Sequence, residues 1–205
     1  MLEAHDLAGR RGHADLFAGV GFRLAAGEAL VVTGPNGTGK TTLLRMLAGL
    51  SAPAAGEIRL NGNKVAPYSQ ELRSSVAYAG HLPALKDELT AEENLSSLVQ
   101  LAGAPVAVPE LRAALDAVAL GRRRNLPARV LSAGQRRRIG LARLAVLRRP
   151  VLVLDEPATA LDAAGIDLLA KLVHEHLDRG GVAVLATHQS LGLEPERVRS
   201  LVLGG

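Results

Sequence analysis

Short apolar blocks dominate the first part of this chain, and their spacing predicts strands around one helix. GEALVVTG (27–34) is a β-branched, apolar run that ends in glycine, as a buried strand does. TTLLRMLAGL (41–50) follows with helical spacing up to Gly49. GEIRLNG (56–62) alternates like a strand that closes in a turn, and SSVAYAG (74–80) is a further strand candidate.

The middle of the chain, from about residue 90 to 148, has helical spacing instead. Thr90 and Glu93 form the T-x-x-E capping box, which starts a helix by satisfying free backbone N–H groups reciprocally. PELRAALDAVAL (109–120) and GQRRRIGLARLAVLRR (134–149) are two more amphipathic segments. The pattern therefore predicts an all-helical insertion.

Strand spacing returns after the helical region. VLVLD (151–155) and VAVLATH (182–188) are apolar strands with a helix between them, which ends at Gly180. The apolar face of that helix consists of Ile166, Leu169, Val173 and Leu177. Strands separated by helices predict a mainly parallel α/β sheet.

Composition narrows the class of protein. The 205 residues are 48% hydrophobic, enough for the core of one domain, and no linker is long enough to separate two. The absence of cysteine excludes disulfides, thiolate metal sites and cysteine nucleophiles. No basic region precedes an apolar run at the beginning, and no run of about 18 uncharged apolar residues occurs. We therefore expect neither a secretion signal nor a membrane span.

A net charge of +4 comes mainly from arginines at 122–124, 136–138 and 148–149. Such clusters suit nucleic acid, anionic lipid or an acidic partner, or they form a solvated surface. The modest charge and an aromatic content of 2% favour the solvated surface and no nucleic-acid partner. His174 and His176 lie two apart on a helix, share no face, and are predicted to be surface residues and not haem ligands.

GPNGTGKT (34–41) carries the strongest chemical signal. It matches G-x-x-x-x-G-K-[ST] with a strand before it and a helix after it. Glycines let the backbone wrap around phosphates, Lys40 reaches the β and γ phosphates, and Thr41 offers its hydroxyl to Mg²⁺. A nucleoside triphosphate site is therefore expected at Gly34, Pro35, Asn36, Gly37, Thr38, Gly39, Lys40, Thr41 and Thr42.

Two adjacent carboxylates lie at the end of the strand VLVLD: Asp155 is its last residue, and Glu156 begins the loop that follows. Asp155 is expected to serve Mg²⁺ and its water shell, and Glu156 the attacking water, as general base or water-positioner. His188 closes the next apolar strand, and a parallel sheet places it on the same rim, where it is expected to contact the γ-phosphate. An acidic loop or a lone histidine is weak evidence alone, so these roles depend on the phosphate loop.

LSAGQ (131–135) opens a helix and predicts a second anion site. Ser132 is an N-cap type of residue, Gly134 permits close backbone approach, and the helix N-terminus is positive. GPNGTGKTT, LSAGQ, VLVLDEP, the ALD of 160–162 and His188 follow one another over nearly the whole chain. In this order they resemble the motifs of ATP-binding cassette (ABC) ATPases.

The resemblance implies an α/β fold of the P-loop NTPase, ABC type. This has a mainly parallel core sheet, an N-terminal antiparallel β part, and a helical subdomain at about 88–148 within a single domain, 1–205. It also implies a homodimer in which Ser132, Gly134 and Gln135 of one copy cover the ATP of the other. The implied catalytic residues are Lys40, Glu156 and His188, and the implied metal ligands for Mg²⁺ are Thr41 and Asp155.

The sequence departs from the family pattern in three places. Ala133 stands where the family usually has glycine. The family's adenine-stacking aromatic residue is missing from GRRGHADLF (9–17), which leaves Arg11, His13 or Phe17 to cover the base. His81 replaces a glutamine of the metal or water shell. Since a histidine ring can accept and donate hydrogen bonds, His81 stays a candidate nucleotide-site residue.

The surroundings of His81 narrow the resemblance. G-H-x-P-x-L-K (80–86) followed by ELTAEENL (88–95) looks like the ATP-binding subunits of the haem exporter of cytochrome c maturation. That resemblance implies a peripheral ATPase on the cytoplasmic face of the bacterial inner membrane. It would be held there only by integral membrane permease subunits, which dock around 81–93, and would drive haem delivery or release of a haem-loaded chaperone.

Three alternatives stay open. The first is another ABC exporter or a lipoprotein-release system, and the second is a soluble ABC ATPase that binds nucleic acid. The third is a nucleotide sensor without turnover, against which the presence of Lys40, Glu156 and His188 argues.

Overall fold

A computed structural model describes residues 1–81 and 83–204 of the chain. The strands are β1 (Leu2–Arg11), β2 (Ala14–Leu24), β3 (Ala29–Thr33), β4 (Ala55–Leu60), β5 (Asn63–Val65), β6 (Val76–Ala79), β7 (Val151–Asp155), β8 (Val182–Ala186) and β9 (Val198–Val202). The helices are α1 (Lys40–Leu47), α2 (Gln70–Ser75), α3 (Ala91–Leu101), α4 (Val108–Ala117), α5 (Ala133–Leu147) and α6 (Ala163–Asp178).

The strands form two sheets. An antiparallel sheet has the order β2-β1-β4-β5, and a parallel sheet has the order β6-β7-β8-β3-β9. This arrangement confirms the predicted fold class, with a mainly parallel core sheet and an N-terminal antiparallel β part. The core strands β7 and β8 are buried along their whole length, because helices cover both faces of a parallel sheet.

The helices α3, α4 and α5 lie between β6 and β7 in the chain and pack against one another. Their shared core includes Leu95, Leu115 and Ile139, none of which is accessible to solvent. The predicted capping box at the start of α3 is confirmed. Thr90 Oγ1 accepts a hydrogen bond from the Glu93 amide at 3.2 Å, and the Glu93 carboxylate accepts one from the Thr90 amide at 2.8 Å.

Asn94 holds the loop that leads into α3. Its side chain is buried, and its Oδ1 accepts a hydrogen bond from the Lys86 amide at 2.8 Å. Its Nδ2 lies 3.0 Å from the carbonyl oxygens of Lys86, Leu89 and Thr90. One amide side chain thus fixes the main chain over 86–90, downstream of His81.

The prediction of a surface position for His176 is wrong. The residue is 5% exposed, and its Nε2 lies 3.0 Å from the Val182 carbonyl oxygen. It falls on the buried face of α6, three residues after Val173 and seven after Leu169. Burial lowers the pKa of His176, although hydrogen bonds to main-chain carbonyls oppose the effect.

The order of the parallel strands determines where the functional loops lie. Carboxyl ends of parallel strands meet at one edge, so the loops after β3, β7 and β8 share that edge, and β8 lies between the other two. β9 follows on the other side of β3, where the Leu203 amide donates to the Thr33 carbonyl at 2.9 Å. No helix within 1–81 and 83–204 is both long and apolar enough to cross a bilayer.

Candidate functional site

The phosphate loop connects β3 to α1 and depends on glycines. Gly34 has φ 138°, and a Cβ atom there would collide with the Leu203 carbonyl oxygen. Gly39 has φ 99°, and a Cβ atom would lie 2.8 Å from the Phe17 ring. Only glycine adopts these conformations without strain and leaves this space. No acidic residue occupies the first turn of α1, so its free N–H groups remain suited to an anion.

Lys40 is held by the loop that it follows. Its Nζ donates to the carbonyl oxygens of Gly34 at 2.6 Å and Pro35 at 3.0 Å, and the Thr38 hydroxyl also donates to Pro35 at 3.0 Å. Among the described residues, no carboxylate lies within ion-pair distance of the ammonium, so its charge is available to an anionic ligand. The remaining predicted residues line the same loop and the first turn of α1: Asn36, Gly37, Thr41 and Thr42.

The loop after β7 brings two carboxylates to the same edge of the sheet. Asp155 ends the strand and is 3% exposed. Glu156 follows with φ 47°, a left-handed conformation that is uncommon outside glycine, and its amide donates to the Ala186 carbonyl at 2.9 Å. Its Oε1 lies 4.0 Å from Nε2 of His188. The structure therefore places Glu156 and His188 together, as parallel topology predicts.

A magnesium ion fits the donor set at this edge. No cluster of three or more His, Asp or Glu side chains that could hold a metal occurs within the described ranges. Magnesium in nucleotide sites needs no such cluster, because one or two carboxylates act together with phosphate oxygens and water. Asp155 supplies a buried carboxylate with no cationic nitrogen within ion-pair distance among the described residues, and Thr41 supplies a hydroxyl.

The LSAGQ motif starts α5 through a second capping box. Ser132 Oγ accepts from the Gln135 amide at 3.2 Å, and the Gln135 side chain accepts from the Ser132 amide at 3.1 Å. The S-x-x-Q spacing at 132–135 is the sequence form of this capping box. Gly134 is required by close packing, since a Cβ atom would lie 2.9 Å from the Ala160 carbonyl oxygen. Ala133 begins the helix, and its methyl group needs no unusual backbone conformation.

The surface beside this motif carries a net positive charge and is separate from the phosphate loop. Two arginines, Arg123 and Arg138, and one carboxylate, Asp162, line a concave surface together with the LSAGQ motif, and no phosphate-loop residue contributes to it. Arg138 donates to Asp162 at 2.6 Å. This hydrogen bond, together with one from the Gly165 amide, lowers the pKa of Asp162, which also caps α6. The LSAGQ surface and the phosphate loop are thus two separate surfaces of one copy of the chain.

Of the candidates to cover the nucleotide base, one lies against the phosphate loop. The Phe17 ring packs beside Gly39 and against Gly9. Arg11, the last residue of β1, and His13, in the turn that leads to β2, are both exposed.

His81 is exposed and shares a concave surface with Ala133 and Ala160, at the start of α5. Residue 82 lies outside the described residues. The main chain at His81 is held from α5, because its carbonyl oxygen accepts a hydrogen bond from Arg137 at 2.9 Å.

Arg137 itself is the functional-site residue that the sequence interpretation missed. The expected solvated surface at 136–138 is wrong for Arg137, which is 6% exposed. Its guanidinium contacts the main chain on both sides of the site, at Gly80 and His81 and over 155–157. The signal was its spacing, four residues before the buried Leu141 and seven before Leu144.

Comparison with known proteins agrees with this geometry. A family model described as ABC transporter matches residues 17–159. The cytochrome c biogenesis ATP-binding export protein CcmA of Dechloromonas aromatica (strain RCB) is 47% identical over 204 residues, which cover 100% of both chains. The protein of the same name from Pseudomonas aeruginosa is 48% identical over 194 residues, 95% of this chain and 96% of that one. A solved ATP-binding subunit of an ABC transporter superposes with a TM-score of 0.84 at 26% identity, over 99% of this chain and 85% of that chain.

Proposed function

The chain belongs to the ABC transporter family as an ATP-binding, ATP-hydrolysing subunit, and we propose that it is the motor of the haem exporter of cytochrome c maturation. The observation that carries this proposal is the group of residues at one edge of the parallel sheet. There the phosphate loop, the buried Asp155 and the Glu156–His188 pair meet, in a chain that matches cytochrome c biogenesis export proteins from end to end.

The triphosphate binds at the start of α1. Its oxygens replace the carbonyls of Gly34 and Pro35 as partners of the Lys40 ammonium, and the free N–H groups of the first turn bind the remaining charge. The hydroxyl of Thr41 and the carboxylate of Asp155 would hold Mg²⁺, which would neutralise charge on the phosphates. Thr42, Thr38 and the loop glycines shape the cradle, and the Phe17 ring forms its side wall beside Gly39.

Hydrolysis takes place at Glu156. Its carboxylate accepts a proton from the attacking water, whose oxygen bonds to the γ-phosphorus as the bond to the bridging oxygen of ADP breaks. His188, 4.0 Å from that carboxylate, donates to a γ-phosphate oxygen and so orients both the phosphate and Glu156. Lys40 stabilises the charge that moves onto the leaving oxygen.

Two copies assemble around ATP. The basic surface at Ser132, Gly134 and Gln135 is separate from the phosphate loop of the same copy, so it suits the triphosphate bound by another copy. In a head-to-tail homodimer, the phosphate loop of one copy and the LSAGQ surface of the other copy contact the same triphosphate. We propose that His81, which lies beside the start of α5, contributes to the nucleotide site.

The motor acts on the cytoplasmic face of the bacterial inner membrane. It is attached there through integral permease subunits that dock near 81–93, in the exporter complex that delivers haem or releases a haem-loaded chaperone. The support is the end-to-end similarity to cytochrome c biogenesis export proteins, together with the G-H-x-P-x-L-K sequence around His81.

The test is a pull-down of the tagged full chain from detergent-solubilised native membranes, with mass spectrometry of its partners and an absorption spectrum of the eluate. We expect cytochrome-maturation membrane subunits and a haem band that ATP releases in the wild type but not in Glu156→Gln. Glu110→Gln, an exposed carboxylate in the first turn of α4, is the matched control and should behave as the wild type. Recovery of a different permease would keep the ABC motor but refute the assignment to haem export. Recovery of nucleic acid without any membrane subunit would refute the role in transport.

A further inference from the structure

All five N–H donors of the Arg137 guanidinium are within hydrogen-bond distance of main-chain carbonyl oxygens. Nε donates to Pro157 at 3.2 Å, and Nη2 donates to Asp155 at 3.3 Å and Glu156 at 2.7 Å. Nη1 donates to Gly80 at 2.8 Å and His81 at 2.9 Å. We infer that Arg137 is a positioning residue for hydrolysis, which fixes the main chain of Glu156 and joins it to the His81 loop and to α5.

The strain at Glu156 is the first reason for this inference. A left-handed conformation at a residue other than glycine costs about 1–3 kcal/mol and persists only where the surroundings enforce it. Glu156 has φ 47°, and its amide donates to the Ala186 carbonyl. Its carbonyl accepts from Arg137 at 2.7 Å and from the Thr159 amide at 3.2 Å. Without Arg137, the Glu156 carbonyl keeps only the longer of its two hydrogen bonds, so the peptide can relax toward an ordinary conformation, which turns the carboxylate away from its position near His188.

The second reason is that Arg137 connects three parts of the molecule. The residues 155–157 belong to the core sheet edge, the residues 80–81 form the loop after β6, and Arg137 belongs to the helix that LSAGQ starts. A displacement of α5 or of the His81 loop therefore reaches the main chain of Glu156 through one rigid, planar group. Because a guanidinium presents its donors in a fixed fork, it transmits orientation as well as position.

The third reason is the cost of burying this charge. Burial lowers the pKa of Arg137, and the guanidinium has no carboxylate within ion-pair distance in the described part of the chain. An apolar side chain would fill this face of α5 without desolvating a charge. The hydrogen bonds to main-chain carbonyl oxygens explain why an arginine occupies this buried position, and three of them lie at the catalytic loop, over 155–157.

The inference rests on the proposed role of Glu156 in hydrolysis, and its test measures steady-state ATP hydrolysis of the full chain with its co-purified membrane subunits. Arg137→Lys keeps the charge on a side chain of similar length but offers donors from a single nitrogen. We expect kcat to fall roughly 10- to 100-fold, as misplaced catalytic groups do, with KM for ATP within about threefold of the wild type. Arg143→Lys is the matched control, because Arg143 is also on α5 and donates to a main-chain carbonyl, that of Tyr78, away from 155–157. It should retain the wild-type kcat.

A double-mutant comparison separates positioning from a merely structural role. If Arg137 acts through the Glu156 carboxylate, Arg137→Lys should lower the residual rate of Glu156→Gln by less than about twofold. An equal loss in both backgrounds, or a wild-type kcat in Arg137→Lys, would overturn the inference. If the wild-type complex does not hydrolyse ATP, the proposed function fails instead. Hydrogen exchange then decides the inference, because Arg137→Lys, but not Arg143→Lys, should accelerate exchange at the amides of Glu156 and Ala158, on either side of Pro157. Unchanged exchange would refute it.

Discussion

His176 makes the stability of the fold depend on pH. The imidazole is buried, and its pKa is lowered from the ordinary value of 6.5, chiefly by desolvation. The unfolded chain therefore binds a proton near pH 6.5 that the folded chain does not bind. Because the folded pKa is depressed, the stabilisation from His176 is present above pH 6.5 and is lost as the pH falls toward the folded pKa.

His176→Gln and His176→Leu remove the titration and differ in what they leave behind. At pH 7.5, Leu leaves the Val182 carbonyl without its side-chain donor, which costs about 1–3 kcal/mol, whereas Gln keeps an N–H donor. Between pH 7.5 and 5.5, the unfolded state of the wild type takes up about one proton. The wild type should then lose up to about 1.4 kcal/mol relative to either variant.

Urea denaturation of the wild type and both variants at pH 7.5, 6.5 and 5.5 measures these differences. The two variants should remain a constant free energy of unfolding apart, while the wild type converges on them as the pH falls. The other five histidines are common to all three proteins and cancel in the comparison. A wild-type advantage that stays constant or grows toward pH 5.5 would refute the reasoning.

Three further substitutions test the site and its supports. Glu156→Gln should trap an ATP-bound dimer, because it retains the shape but cannot accept the proton of water; gel filtration with ATP and Mg²⁺ that shows only monomer contradicts this. Gly34→Ala should lower ATP affinity at least about tenfold, since the methyl group collides with the Leu203 carbonyl and moves the loop. Titration calorimetry would detect it, and wild-type affinity would exclude it. Asn94→Ala should lower the free energy of unfolding by about 2–4 kcal/mol, because it removes the hydrogen bonds to the main chain over 86–90. Urea denaturation measures this loss, and a value below about 0.5 kcal/mol would show that these hydrogen bonds do not stabilise the fold.

Much of the fold could be predicted because its buried strands are clearly visible in the sequence as short apolar runs. VLVLD and VAVLA are uninterrupted apolar runs, and in the structure every residue of β7 and β8 is buried. The phosphate loop could be predicted because its backbone needs positive φ angles, at Gly34 and Gly39, which favour glycine at these positions. Chemistry that depends on the conformation of a few adjacent residues is visible in a sequence.

The pattern did not predict α2 and β9, for local reasons. Six residues of α2 are too short to show a helical period, and the edge strand β9 is mostly exposed on both faces, so neither spacing is distinctive.

Arg137 and His176 were misassigned for a different reason. Their hydrogen-bond partners are main-chain carbonyl oxygens, which carry no side-chain identity, and so the residue types around them do not reveal the contacts. Their spacing on a buried helix face was the available signal, and the polar residue type outweighed it. The left-handed backbone at Glu156 is likewise a product of tertiary contacts, since the residue type disfavours it.

The position of β3 between β8 and β9 has a consequence for biosynthesis. The ribosome makes the phosphate loop early, but both neighbours of β3, and the Leu203 carbonyl against which Gly34 packs, come from the last quarter of the 205 residues. Such long-range pairing forms late, because the intervening chain must be closed first. The ATP-binding loop of a nascent chain therefore cannot reach its native surroundings until residue 203 has left the ribosome, so unfinished chains cannot complete the nucleotide site.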